Sequence, residues 1–234
     1  RIILSINLTK IPSRNIAQSN HPVVSKRENG GSDEMANENA VPGRERLGAD
    51  IVAPCKLAHF VLRTSRFDEV LDFYRIVLSA RIIFNNGALA FLSYDDEHHR
   101  VAILQVPGLE EQPSGIAGVH HIAFTFSSLT ILLENYASLK CRNILPVYVI
   151  NHGPTTSLYY QDPDGNQLEF QVENFGTVER STEFFYSDAF AENPIGVEFD
   201  PDDMLIRLRA GVPEDQLKQR PDAGPKGLED VKLR

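Results

Sequence analysis

Leu57-Ala58-His59-Phe60-Val61-Leu62, followed by SRFDEVLDFYRIVL at 65–78, has a counterpart later in the chain: Val119-His120-His121-Ile122-Ala123-Phe124-Thr125-Phe126, followed by LTILLENYASLK at 129–140. Each copy opens on a short apolar run of the kind that forms a strand. Apolar residues then recur at three- and four-residue steps: Phe67, Val70, Leu71, Tyr74 and Leu78 in the first copy, Leu132, Leu133, Tyr136 and Leu139 in the second. That spacing puts them on one face of a helix. His59 and His121 occupy matching places, 62 residues apart.

Three strand-like runs follow each helix. The first set is Arg81–Phe84, Ala88–Ser93 and Arg100–Val106, with Asn86-Gly87 as a turn. The second is Leu145–Ile150, Thr156–Tyr160 and Asn166–Val172, with the turn Asp162-Pro163-Asp164-Gly165-Asn166 before its last strand. Strand, helix and three strands, read twice, predict an α+β fold of two βαβββ modules spanning residues 53–175.

The flanks differ. Residues 1–52 are polar, without apolar period, and read as a disordered or weakly attached arm. Residues 1–27 hold five basic side chains and no acid, which is also the composition of an organelle transit peptide. Residues 176–234 carry Phe184, Phe185 and Phe190 as anchors and a short helix or strand at 203–210. This extension is expected to pack on the domain and loosen after about 210. The net charge of −9 argues against a nucleic-acid surface, and no apolar run is long enough to span a membrane. Two cysteines, Cys55 and Cys141, are too few for a disulfide framework and fit reduced thiols in the cytoplasm.

Alternation sets which side chains share a strand face. Leu168, Phe170 and Val172 form the face to bury under helices, which leaves Glu169 with Gln167 and Gln171 on the other. Two imidazoles, His59 and His121, and the Glu169 carboxylate then line one mixed face. Such a set suits Fe(II) and leaves open positions for substrate and O₂. A lone strand histidine is more often structural, and a glutamate near a strand end is usually a solvated charge. The repeat is what raises the joint reading.

These stretches, with Gly118-Val119-His120-His121-Ile122-Ala123-Phe124 and the run from Ser157 to Glu169, resemble the vicinal oxygen chelate superfamily of glyoxalases, antibiotic-sequestering proteins and type I extradiol ring-cleaving dioxygenases. The resemblance covers about residues 56–173. It implies an open metal-binding bowl of mixed sheet, with His59, His121 and Glu169 as ligands. Glyoxalases of the superfamily add a fourth ligand on the last strand of the first module. Counted back from His121, that place falls at Ile103, with Gln105 two residues on. An open three-liganded site resembles the extradiol branch.

Further marks of that branch are the paired His98-His99 before a strand and Tyr159 ten residues before Glu169. They imply His99 as acid–base, facing the bowl on the side of Val101 and Ile103, and Tyr159 as a hydrogen-bonding catalytic residue. His152, and His98 turned away from the bowl, are the substrate-binding candidates. The resemblance implies an Fe(II)-dependent dioxygenase cleaving a catechol-like or polyphenolic ring, with O₂ as co-substrate and a homodimer as a possible assembly. The alternatives are a glyoxalase- or epimerase-like isomerase using Zn(II) or Ni(II), Mn(II) in place of iron, and a metal-free aromatic-ligand-binding protein.

Overall fold

The computed structural model describes residues 52–110, 113 and 115–230. The N-terminal arm therefore lies, except for Val52, outside the described residues. The first module runs β1 (Phe60–Thr64), α1 (Phe67–Val77), β2 (Arg81–Asn85), β3 (Leu89–Ser93) and β4 (Val101–Gln105). Its sheet has the order β1-β4-β3-β2, with β1 and β4 parallel. The second runs β5 (His121–Thr125), α2 (Leu129–Lys140), β6 (Tyr148–Asn151), β7 (Thr155–Gln161) and β8 (Gln167–Glu173). Its order is β5-β8-β7-β6, with β5 and β8 parallel. The two modules thus repeat one topology, the α+β arrangement expected from the sequence.

The helices bury their predicted stripes: Val70, Leu71 and Tyr74 of α1, and Leu132, Leu133, Tyr136 and Leu139 of α2. One continuous apolar core joins them to Val101, Ile103, Leu158, Tyr160, Leu168, Phe170 and Val172. Alternation sends Gln167, Glu169 and Gln171 of β8 to the opposite, polar face, in register with Ala123 and Tyr159 on its neighbours.

Two strands start three residues later than the sequence suggests. Leu57 to His59 precede β1, because the Arg100 guanidinium takes the carbonyls of Leu57 and Ala58 at 2.6 and 3.0 Å in place of a ladder. β6 begins at Tyr148 rather than Leu145, as Pro146 has no N–H to give a neighbouring strand.

The C-terminal segment adds β9 (Val197–Glu198), which pairs with β6 and extends the second sheet. It also forms α3 (Val178–Phe184), α4 (Asp188–Glu192), α5 (Pro201–Arg209) and α6 (Glu214–Leu217). Asp202 of α5 accepts from Tyr136 at 2.9 Å, and Arg209 pairs with Glu134 at 2.7 Å. Packing contacts continue past residue 210. Leu217 is buried, and Glu214 accepts from the backbone N–H of Leu129 and Thr130 and from the Thr130 hydroxyl. No helix among the described residues is long and apolar enough to cross a membrane.

Glu214 caps a helix from 85 residues away in sequence. Burial opposes its ionisation, but the three donors outweigh that and hold its carboxyl below the usual range. Glu214→Ala is expected to cost about 1 kcal/mol, the worth of an N-terminal cap with favourable dipole placement. Because the folded-state pKa is depressed, this contribution is full above the unfolded glutamate pKa and fades as pH falls through the folded one. Urea melts of both proteins at neutral and acid pH check this: the stability gap should narrow on acidification.

Candidate active site

The second sheet assembles a polar cluster from four strands and one turn. His121 opens β5, and its Nε2 lies 3.0 Å from Oε2 of Glu169 on the neighbouring parallel strand. Tyr159 of β7 is directly opposite Glu169, and Tyr148 of β6 is opposite Tyr159. The His121 and Tyr159 rings meet edge to face at 5.2 Å. His152, in the turn after β6, brings Nε2 to 3.0 Å from the Tyr159 hydroxyl and 3.9 Å from Glu169 Oε1. Its Nδ1 lies 2.5 Å from the Ile195 carbonyl.

Glu169 is 5% exposed. Burial alone would raise its pKa, but hydrogen bonds from His121, Ser157 and Tyr159 reverse the sign and leave it below the ordinary value. Its ion-pair partners are two imidazoles, His121 and His152. Burial pushes the Tyr159 phenol well up, reinforced by the adjacent carboxylate, so it stays protonated. Burial also lowers His152, against the opposing pull of the Ile195 carbonyl and Glu169. The result is an ionised carboxylate, facing two imidazoles and two hydroxyls, with no Lys or Arg ion-pair partner among the described residues. That chemistry fits a divalent cation.

His59 stands elsewhere. It lies just before β1 and meets His99, which lies just before β4, the two rings 4.4 Å apart, and His99 also stacks on Phe91 at 4.6 Å. Burial and the neighbouring His59 and His98 lower the His99 pKa. His98 is exposed, with Nδ1 2.5 Å from that of His99 and Nε2 3.6 Å from Glu97. Among the described residues no group of three or more His, Cys, Asp or Glu side chains converges as a metal site. The structure brings together His121, Glu169, Tyr159 and His152, and holds His59, His98 and His99 as a second group. A cleft of about 240 Å³ runs between the opening strands, lined by His59 and Arg100 on one side and Ala123 and Phe124 on the other.

The face assigned to Val101 and Ile103 needs correcting. Val101 and Ile103 point into the core. His99 does not follow them, because residues 94–98 and 100 form bends and β4 starts only at Val101. The fourth-ligand position moves as well. Glu169 pairs with Ala123, two residues beyond His121. The matching pair in the first sheet is Val61, two beyond His59, with Ala102. Ala102 takes the place read at Ile103, and it too offers no ligand. Gln105 pairs with Thr64 and donates to the Ser65 carbonyl, away from the metal-facing positions. Ser157, Ile195 and Arg220 were not singled out in the sequence. Of these only Ser157 had a signal, two positions from Tyr159 on the same strand face.

The profile of the Glyoxalase/Bleomycin resistance protein/Dioxygenase superfamily matches residues 56–170. The chain is 46% identical over 168 residues to a biphenyl-2,3-diol 1,2-dioxygenase 2 of Rhodococcus globerulus, covering 71% of this chain and 88% of that one. It is 42% identical to biphenyl-2,3-diol 1,2-dioxygenase 3 of the same organism, over 70% of this chain and 88% of the other. A lactoylglutathione lyase of Neisseria meningitidis is 25% identical over 49% of this chain and 88% of its own length. The chain belongs to the Glyoxalase/Bleomycin resistance protein/Dioxygenase superfamily. Within it, this chain is an oxidoreductase of the extradiol ring-cleaving dioxygenase type.

Proposed function

We propose that the reaction is the Fe(II)-dependent extradiol cleavage of a catechol, with an aryl-substituted catechol as the substrate class. The buried Glu169 carboxylate facing His121, with Tyr159 and His152 beside it, carries this reading. The names of the two Rhodococcus relatives support the diol.

His121 and Glu169 would hold the iron, with His59 as the third donor from the first module. Iron bound there supplies Lewis acidity and open positions for a diol and O₂. Tyr159 presents a phenol that orients a substrate oxygen and stabilises charge developing on it. His152 holds the proton partner of that phenol at Nε2. His99, engaged with His98 through Nδ1, is the proton-carrying group of the first module. The alanine at the fourth-ligand position favours this reading over an isomerase with a filled coordination sphere.

The test is nitric oxide binding to the anaerobic Fe(II)-reconstituted protein, read by electron paramagnetic resonance. A high-spin iron–nitrosyl signal, lost in His121→Ala, is expected, together with ring cleavage of 2,3-dihydroxybiphenyl or a simpler catechol. A folded protein that gives no signal would overturn the iron reading.

A further inference from the structure

The C-terminal extension reaches the active-site cluster through Ile195, which packs with Tyr159, and at the backbone and ring of His152. Arg220 is half-buried, and its guanidinium donates to three carbonyls: Asn193 at 2.8 Å, Ala189 at 2.8 Å and His152 at 3.3 Å. It lies 5.1 Å over the Phe184 ring. One side chain therefore ties the end of α4, the 193–196 turn and the β6–β7 turn together. A planar fork with several fixed N–H vectors does this, and an ammonium does not.

The 193–196 turn is held on its other side by Asn193, whose Oδ1 accepts from the N–H of Ile195 and Gly196 at 3.1 and 2.7 Å. Gly196 adopts φ of 117°, and a Cβ there would sit 2.4 Å from the Asn151 carbonyl and 2.9 Å from His152 Cα. Only glycine allows this approach. Its consequence is chemical. A carbonyl only accepts, so the Ile195 oxygen requires a proton on Nδ1 of His152. That contact sets the ring so that Nε2 faces the Tyr159 hydroxyl.

We infer that Arg220 and the 193–196 turn are positioning residues: they hold the His152 ring with its Nδ1–H on the Ile195 carbonyl and its Nε2 against the Tyr159 hydroxyl, which makes the extension a working part of the active site. The consequence for catalysis rests on the dioxygenase reading above; the placement of the Nδ1 proton does not.

The experiment has two readouts. Imidazole ¹⁵N shifts of the histidine-labelled, metal-free full chain report the Nδ1 proton directly. The unaltered chain should show a protonated Nδ1 for His152, assigned by its loss in His152→Gln. Arg220→Lys, which keeps the charge but loses the fork, should lower the share of rings protonated at Nδ1; Gly196→Ala is the second variant if Arg220→Lys does not fold. In the iron-loaded enzyme, Arg220→Lys should lower kcat about tenfold, the usual cost of losing an outer partner. In a His152→Gln background it should have no further effect, since both changes act through one ring. An unchanged Nδ1 protonation in Arg220→Lys and Gly196→Ala, or additive losses in kcat, would overturn the inference. Absence of ring cleavage with a lowered Nδ1 protonation would sink the dioxygenase reading and leave this one standing.

Discussion

Glu169→Gln is expected to strip the protein of iron while leaving it folded. The side chain keeps its shape and length, so the β8 ladder and the apolar face formed by Leu168 and Phe170 are untouched. What disappears is a negative charge that is 5% exposed and paired only with imidazoles. An amide ligates a divalent ion far more weakly than a carboxylate. Replacing even an outer partner of a metal ligand costs about 10–100-fold in affinity, so loss of the carboxylate itself should cost at least about 100-fold. Ring cleavage should fall in step. Stability of the metal-free chain should fall modestly at neutral pH, because the hydrogen bonds that hold the carboxyl below its ordinary pKa are weaker to an amide. Iron content after reconstitution, with a thermal melt of the same sample, separates these effects. A variant that retains its iron in full would remove Glu169 from the ligand set.

Residues whose role follows from strand alternation and repeat symmetry were legible in the sequence. Glu169 faces away from Leu168 and Phe170 because a strand has a period of two, and β8 is a regular seven-residue strand. Val101 and Ile103 were put on the bowl face because the same rule was carried forward from His99 through residues that bend instead of pairing. His59 lies outside β1 because a side chain 41 residues later, Arg100, competes for the carbonyls of Leu57 and Ala58. No local pattern encodes such a contact. The same holds for Ile195 and Arg220. Ile195 acts through its backbone carbonyl, which every residue has, and Arg220 through carbonyls up to 68 residues away. Tertiary contacts of this kind leave no periodicity to read.

Phe170→Ala should be the most destabilising of the substitutions considered, and its effect should spread across both modules. Phe170 is fully buried. Its ring lies 5.0 Å from Tyr160, 5.3 Å from Phe126 and 5.8 Å from Phe124. Phe124 in turn meets Phe60 of the first module at 6.2 Å, and Phe60 meets Tyr74 at 6.2 Å. Tyr74 closes the connection by donating to Asp162, in the turn that precedes β8. Truncation removes the transfer free energy of a buried ring and leaves a cavity that a rigid sheet cannot close, about 3–5 kcal/mol in total. An edge-to-face contact with Phe124 and tilted contacts with Phe126 and Tyr160 place the value toward the upper end. Urea unfolding should show the midpoint falling with the slope unchanged, provided the modules still unfold together. Two separated transitions would mean instead that the aromatic path through Phe124 and Phe60 is what couples the modules. In that case the cleft between the opening strands, which His59 and Ala123 line from opposite sides, would lose its shape before the second sheet lost its fold.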